Sequence, residues 1–180
     1  MQPRKISIAL ICGLISGLAM VLLTTILYLG GVNVFLGPVA YWGYLIPFAM
    51  AVVAPLAEKK ARGGYLEFRD ALKAAFLVFV IAYALQTLFN WILLNYIDQP
   101  FRQAVEQETL IRTEKLLSRM GMGQEKIDEA IARQRGVNQF TLTKSVTGLA
   151  LWYVVLFLIA LLIAAIVKKK KPEFNESEFK

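Results

Sequence analysis

The chain has no histidine and a single cysteine, Cys12, in 180 residues. Without histidine there is no Ser-His-Asp triad and no His-containing zinc site. With one thiol there is no CxxC redox pair and no intrachain disulfide. Charge is also scarce, at 18% of residues against about 25% in soluble domains. Hydrophobic residues make up 57%, against about 45–50%, and the mean hydropathy is +0.54. This excludes a disordered chain, which needs low hydrophobicity, and points to a small integral membrane protein. No cofactor and no metal site is expected.

The net charge is +7. In a soluble protein that excess would suggest nucleic acid, but no basic-aromatic interleaving and no nucleic-acid module is present. A nucleic-acid partner is therefore not expected. The charges lie outside the apolar runs, so their side of the membrane matters more than their sum.

A spanning helix needs about 20 mostly apolar residues, and backbone groups in lipid must be paired within it. Four uncharged segments qualify: 6–29, 37–57, 74–97 and 146–167. The first follows Arg4-Lys5, like a signal peptide, but its apolar run far exceeds the roughly 7–15 residues of an h-region. It reads as an uncleaved helix. Segment 98–145 is the one sizeable polar region. A helix is expected over 99–119, a turn at Gly121-Met122-Gly123, and a second helix over 124–135 with Ile127, Ala130 and Ile131 on one side. A linker over 136–143 leads to the last span, and 172–180 reads as a disordered tail. The fold class is therefore an all-α, four-helix transmembrane bundle with a helical hairpin between the third and fourth spans.

Orientation follows from Lys and Arg, which favour the cytoplasmic side of short loops. Arg4, Lys5, Lys59, Lys60, Arg62, Arg69, Lys73 and Lys168 to Lys171 give eleven on one side. The other side has five near membrane ends: Arg102, Arg112, Arg133, Arg135 and Lys144. Both termini are expected in the cytoplasm and the hairpin outside. Trp42, Trp91 and Trp152, with Tyr28, Tyr41, Tyr44, Tyr96 and Tyr153, then lie in the outward halves of their spans. They form an interfacial belt or pack between helices.

Several positions are candidates for helix packing or interaction. Gly13 and Gly17 form a GxxxG, which lets two helices approach closely within the bundle or at a dimer face. Cys12 reads as a small buried residue. Gly43, Pro47, Ala51 and Pro55 recur every four residues, and each proline is expected to bend the second span. Such breaks form binding sites in some transporters. In the third span Gln86 and Asn90 share a face with Tyr83. Amides facing lipid are unfavourable, so this face should point inward as a brace or as the lining of a substrate path.

No Asp, Glu, Lys, Arg or His lies within any span. Proton relays, voltage sensors and intramembrane proteases place such groups there, so these classes are excluded. Lys168 to Lys171 reads as a stop-transfer signal with some capacity for anionic headgroups.

The order of features then becomes informative. Gly63-Gly64-Tyr65-Leu66-Glu67-Phe68-Arg69-Asp70-Ala71-Leu72-Lys73 opens a span that closes in Asn95-Tyr96-Ile97-Asp98-Gln99-Pro100. A charged helix, a Met-Gly turn into Gln124-Glu125-Lys126-Ile127 and a lysine-closed last span follow. This arrangement resembles the bacterial membrane family described as domain of unknown function 4199, over about residues 6–171. The resemblance implies four spans in a bacterial inner membrane, and no activity. The function expected first is a non-enzymatic scaffold or accessory subunit, with the bilayer and a membrane-protein partner or a second copy as partners. Alternatives are a small oligomeric transport-type protein using the Gln86/Asn90 face, or a surface enzyme on a lipid-linked substrate using carboxylates such as Glu67 and Asp70.

Overall fold

The structure is a computed structural model and describes residues 7–169. Residue 6, the pairs Arg4-Lys5 and Lys170-Lys171, and the tail 172–180 lie outside the described residues. Four helices or helix pairs are long and apolar enough to cross a membrane: Ile8–Leu29, Val39–Ala61, Phe68–Ile97 and Leu142–Val167.

The first span is a single helix, α1 (Ile8–Leu29). Its buried stripe is mostly small or polar, Ala9, Cys12, Gly13, Ser16, Gly17 and Thr24, with Met20 and Leu27 as its larger members. Leu14, Ile15, Leu18, Leu22 and Ile26 are exposed on the other side. This distribution reverses that of a soluble helix and is what lipid solvent selects: large apolar groups outward, small ones where backbones meet.

The second span departs from expectation. Instead of one helix over 37–57, two short helices, α2 (Val32–Phe35) and α3 (Val39–Trp42), precede α4 (Leu45–Ala61). Pro38 lacks an N–H and cannot carry a helix through from α2. At Gly43 and Tyr44 the main-chain bonds tighten to the third residue back, onto the Ala40 and Tyr41 carbonyls. A Cβ on Gly43 would sit 2.7 Å from Leu23 Cδ2, so the break presses directly on α1. Pro47 does not bend a continuous helix as expected. It falls in the first turn of α4, where a missing N–H costs nothing. Pro55 is internal and removes the N–H that would donate to Ala51. α4 also continues past residue 57 to Ala61, because Glu58 pairs with Arg62 at 3.6 Å and Lys59 Nζ donates to the Val167 carbonyl at 2.8 Å.

The third span, α5 (Phe68–Ile92), begins earlier than 74 and includes its charged first turn. It is the centre of the bundle and packs against α1, α4 and the last span. Its buried stripe is Ala71, Ala74, Ala75, Val78, Phe79, Ala82 and Tyr83. The helix ends in a π turn, Leu93–Ile97, with the Asp98 N–H donating to the Leu93 carbonyl at 2.9 Å. Asn95 accounts for this change of winding. Its Nδ2 occupies the Trp91 carbonyl and also reaches the Phe140 carbonyl, both at 2.9 Å.

The hairpin consists of α6 (Gln99–Arg119), at the expected bounds, and α7 (Gln124–Gln134), one residue shorter than expected. Asp98 caps α6 by accepting from the Phe101 N–H at 2.8 Å. α7 packs back on α6 with Ile127 and Ile131 buried. The last span, α8 (Leu142–Val167), starts four residues before the expected 146, within the presumed linker, with Thr141 as its cap. Beyond it, Leu66 and Lys169 exchange two main-chain hydrogen bonds, at 2.9 and 2.8 Å. Lys168 and Lys169 lie over the rings of Phe68 and Tyr65, so these two lysines fold onto the α4–α5 connection.

Candidate functional site

The polar face of α5 continues its buried stripe by one further turn at each step: Tyr83, Gln86 and Asn90. Gln86 Nε2 donates to the Thr24 hydroxyl of α1 at 2.6 Å. This is the one side-chain bond between those two spans among the described residues. The remaining polar atoms here are less well served. Tyr83 Oη, Gln86 Oε1 and Asn90 Oδ1 are buried without a hydrogen-bond partner among the described residues. A buried unpartnered acceptor is costly, so this face is not fully described as a structural brace.

Beside Gln86 and Asn90 lies a cavity of about 220 Å³ between α1, the α2–α3 segment and the start of α4. Thr24, Leu27, Phe35, Tyr41, Gly43 and Tyr44 are among its walls. Its position follows from the break at Gly43, which carries the chain across the mouth rather than down the bundle. Tyr44 stacks on Tyr83 at 6.1 Å between ring centroids, and Tyr83 meets Trp152 edge-to-face at 6.4 Å. On the other side of that layer Val78, Phe79, Ala51, Ala54, Ala75, Leu156 and Ala160 are fully buried.

Gly13 and Gly17 face α5. A Cβ at Gly13 would come within 2.9 Å of Ile81 Cβ, and one at Gly17 within 2.7 Å of Leu85 Cδ1 and 3.3 Å of Ala82 Cα. Pro47 and Pro55 lie on the buried side of α4 with Ala51. The six candidate positions therefore divide. Gly13, Gly17, Pro47 and Pro55 shape helix contacts, while Gln86 and Asn90 line the cavity. Of the two surface carboxylates considered above, Asp70 is paired with Arg62, and Glu67 is exposed.

Three further groups carry no motif. Tyr28 donates to the Asp98 carboxylate at 2.8 Å, and Arg112 donates to the Leu36 carbonyl at 2.5 Å, which docks α6 on the rim of the bundle. Tyr28 and Phe35 both pack edge-to-face on Phe101. The third is a node around Asn95, to which Asn138 Nδ2 donates at 3.2 Å. In the sequence Tyr28 belongs to the aromatic set, Arg112 to the orientation count and Asn95 to the close of the third span, and nothing there pairs them with the groups they meet.

No curated protein and no solved structure matches the chain. The profile of the family described as "Protein of unknown function (DUF4199)" matches residues 11–169, from the first turn of α1 to the Leu66–Lys169 pairing. The protein is a member of that family.

Proposed function

We propose that the protein is a multi-pass protein of a bacterial inner membrane, with both termini cytoplasmic, that serves as a non-enzymatic scaffold or accessory subunit. Its hairpin engages the extracytoplasmic part of a membrane-protein partner. One observation carries this reading. α6 is fastened to the bundle by Tyr28, Arg112 and its Asp98 cap, whereas α7 makes no extensive contact except with α6. The element is thus held in a fixed position while its tip leaves Leu116, Met120 and Met122 exposed. A loop without a role has no need of such anchoring. Segment 98–145 carries eight basic and seven acidic residues, so a partner with a mixed, near-neutral surface fits the hairpin better than a strongly charged one.

The test replaces residues 106–133 with a short Gly/Ser linker and compares photo-crosslinks from positions 116 and 120 with those from a site on the lipid face of α8. The shortened protein should still insert and accumulate. The hairpin positions in the intact protein should give one discrete membrane-protein adduct, absent from the α8 site, and the same partner should fail to co-purify with the shortened protein. If the partner co-purifies undiminished, the hairpin is not the interaction surface. A self-adduct in its place would point to a second copy.

A transport-type function is supported by the cavity beside Gln86 and Asn90. It is the weaker reading, because the fully buried layer of Val78, Phe79, Ala51 and Ala54 leaves no polar route onward from it.

A further inference from the structure

The two ends of α8 are packed differently. All of its buried residues, Leu156, Ala160, Ile163, Ala164 and Val167, lie in the half nearer Lys168. In the other half, between Leu142 and Val155, none is buried. Gly148 is exposed there, and a Cβ built on it would meet nothing within 4 Å. A crevice of about 280 Å³ opens between this half of α8 and α5. Its walls include Thr87, Asn90, Trp91 and Leu94 on α5 and its π turn, and Ser145 and Leu149 on α8.

The crevice has one charged residue in its lining. Lys144 lines it, and its ammonium donates only to neutral oxygens, the Asn138 carbonyl at 3.1 Å and Gln139 Oε1 at 3.0 Å. Asn138 in turn bonds Asn95, and Arg102 reaches the same Asn95 oxygen through a long contact of 3.5 Å. Arg102 Nε is buried without a partner. Among the described residues neither cation has a carboxylate within 4.0 Å. The carboxylates nearby in sequence are engaged elsewhere: Asp98 by Tyr28 and Phe101, Glu106 by the Gln139 N–H at 3.0 Å. Lys144 is exposed and Arg102 half-buried, and a cation with no carboxylate in contact is free to meet an anion.

We propose that this crevice is a binding site for an anionic phospholipid. Lys144 meets the phosphate. Ser145, next to it in the chain, supplies a hydroxyl donor. One acyl chain follows the apolar wall of Trp91, Leu94 and Leu149 across the open surface at Gly148. The site has the order a lipid requires: charge and a hydroxyl at the end of the span, and below them a lateral apolar slot opening into the bilayer. A soluble anion would use the mouth and leave the slot unfilled. The winding of α5 also fits, because the π turn at Leu93–Ile97 displaces Leu94 and Asn95 from a regular helical course, and such turns recur at functional sites.

The test uses the full-length protein, delipidated in a neutral detergent. Thermal stability is followed against added phosphatidylglycerol, phosphatidylcholine and inorganic phosphate. Phosphatidylglycerol should raise the melting temperature in a saturable way and phosphatidylcholine should not. Lys144→Gln should raise the half-saturating lipid concentration about tenfold, the weight of one charge contact of about 1.4 kcal/mol. Gly148→Leu places a side chain into open space, so it should fold normally and lose lipid retention in native mass spectra. Equal effects of both lipids would overturn the proposal, as would unchanged saturation in both variants. Protection by inorganic phosphate matching that by the lipid would also overturn it, leaving an anion site without the acyl slot. The crevice is independent of the hairpin tip, so loss of the partner after hairpin replacement says nothing about this result.

Discussion

The Tyr28 hydroxyl lies 2.8 Å from the Asp98 carboxylate, joining the last turn of the first span to the residue that caps the hairpin's first helix. Seventy residues of sequence separate them. The bond is made to a charged acceptor and is partly shielded by Phe101, whose ring sits 4.8 Å from that of Tyr28.

Tyr28→Phe keeps the ring against Phe101 and removes only the donor. A hydrogen bond to a charged group contributes about 1.5–3 kcal/mol, so the melting temperature in detergent should fall. Limited proteolysis should cut α6 and α7 sooner in the variant than in the parent. Equal proteolysis in the variant and the parent would show that the hairpin is held by other contacts, with the Arg112 bond to the Leu36 carbonyl as the next candidate.

Gln86 and Asn90 should separate on substitution. Gln86→Leu loses the bond to Thr24 and should cost about 0.6–1.7 kcal/mol, the range for bonds between membrane helices. Asn90→Leu removes a buried oxygen without a partner, whose burial costs about 1–3 kcal/mol, so stability should hold or rise. Thermal unfolding of both variants decides this. If Asn90→Leu is destabilised as strongly as Gln86→Leu, the Asn90 oxygen has a bonded partner in the folded protein.

The spans and hairpin helices were legible because lipid imposes one simple demand, a long uncharged run, and α6 and α7 announce themselves by a Gly-rich turn and periodic Ile. The family was legible from the same order of features. The divided second span was not. Pro38 and Gly43 were visible, but where a helix breaks depends on what presses against it, and Leu23 of α1 is not a local signal. The cavity wall shows the same limit. Gln86 stood out as an amide in an apolar run, while its partner Thr24 did not, because threonine is unremarkable in a span until a donor from another helix reaches it. In the sequence Lys144 and Arg102 bear on orientation alone. Their lack of carboxylate partners is a tertiary fact that no spacing encodes.

Gly13 and Gly17 should matter for stability rather than for oligomeric state. Valine at either position drives Cβ into Ile81 or into Leu85 and the Ala82 backbone. Overpacking of this kind costs about 1–3 kcal/mol. Each variant should melt earlier and elute at the parent's size in detergent. A change of oligomeric state at unchanged melting temperature would mean that this face meets a second copy rather than α5.

Orientation can be settled with two cysteines at opposite ends of the bundle. Ser118 is exposed near the α6–α7 turn, and Glu67 is exposed at the start of α5. Cys12 is buried, and replacing it with alanine provides a clean background. The positive excess lies at the Glu67 end, with Lys59, Lys60, Arg62, Arg69, Lys73, Lys168 and Lys169, and this end should face the cytoplasm. In intact spheroplasts a membrane-impermeant maleimide should therefore label Ser118→Cys and spare Glu67→Cys until the membrane is opened. Two structural details sharpen the expectation. Lys59 is tied to the Val167 carbonyl, and Lys168 and Lys169 lie over aromatic rings. These contacts hold the charges at the ends of the spans, where positive residues favour the cytoplasmic side. The reverse labelling pattern would place the hairpin in the cytoplasm. It would leave the bundle unchanged but move the partner proposed for the hairpin, and the lipid proposed for the crevice, to the opposite leaflet.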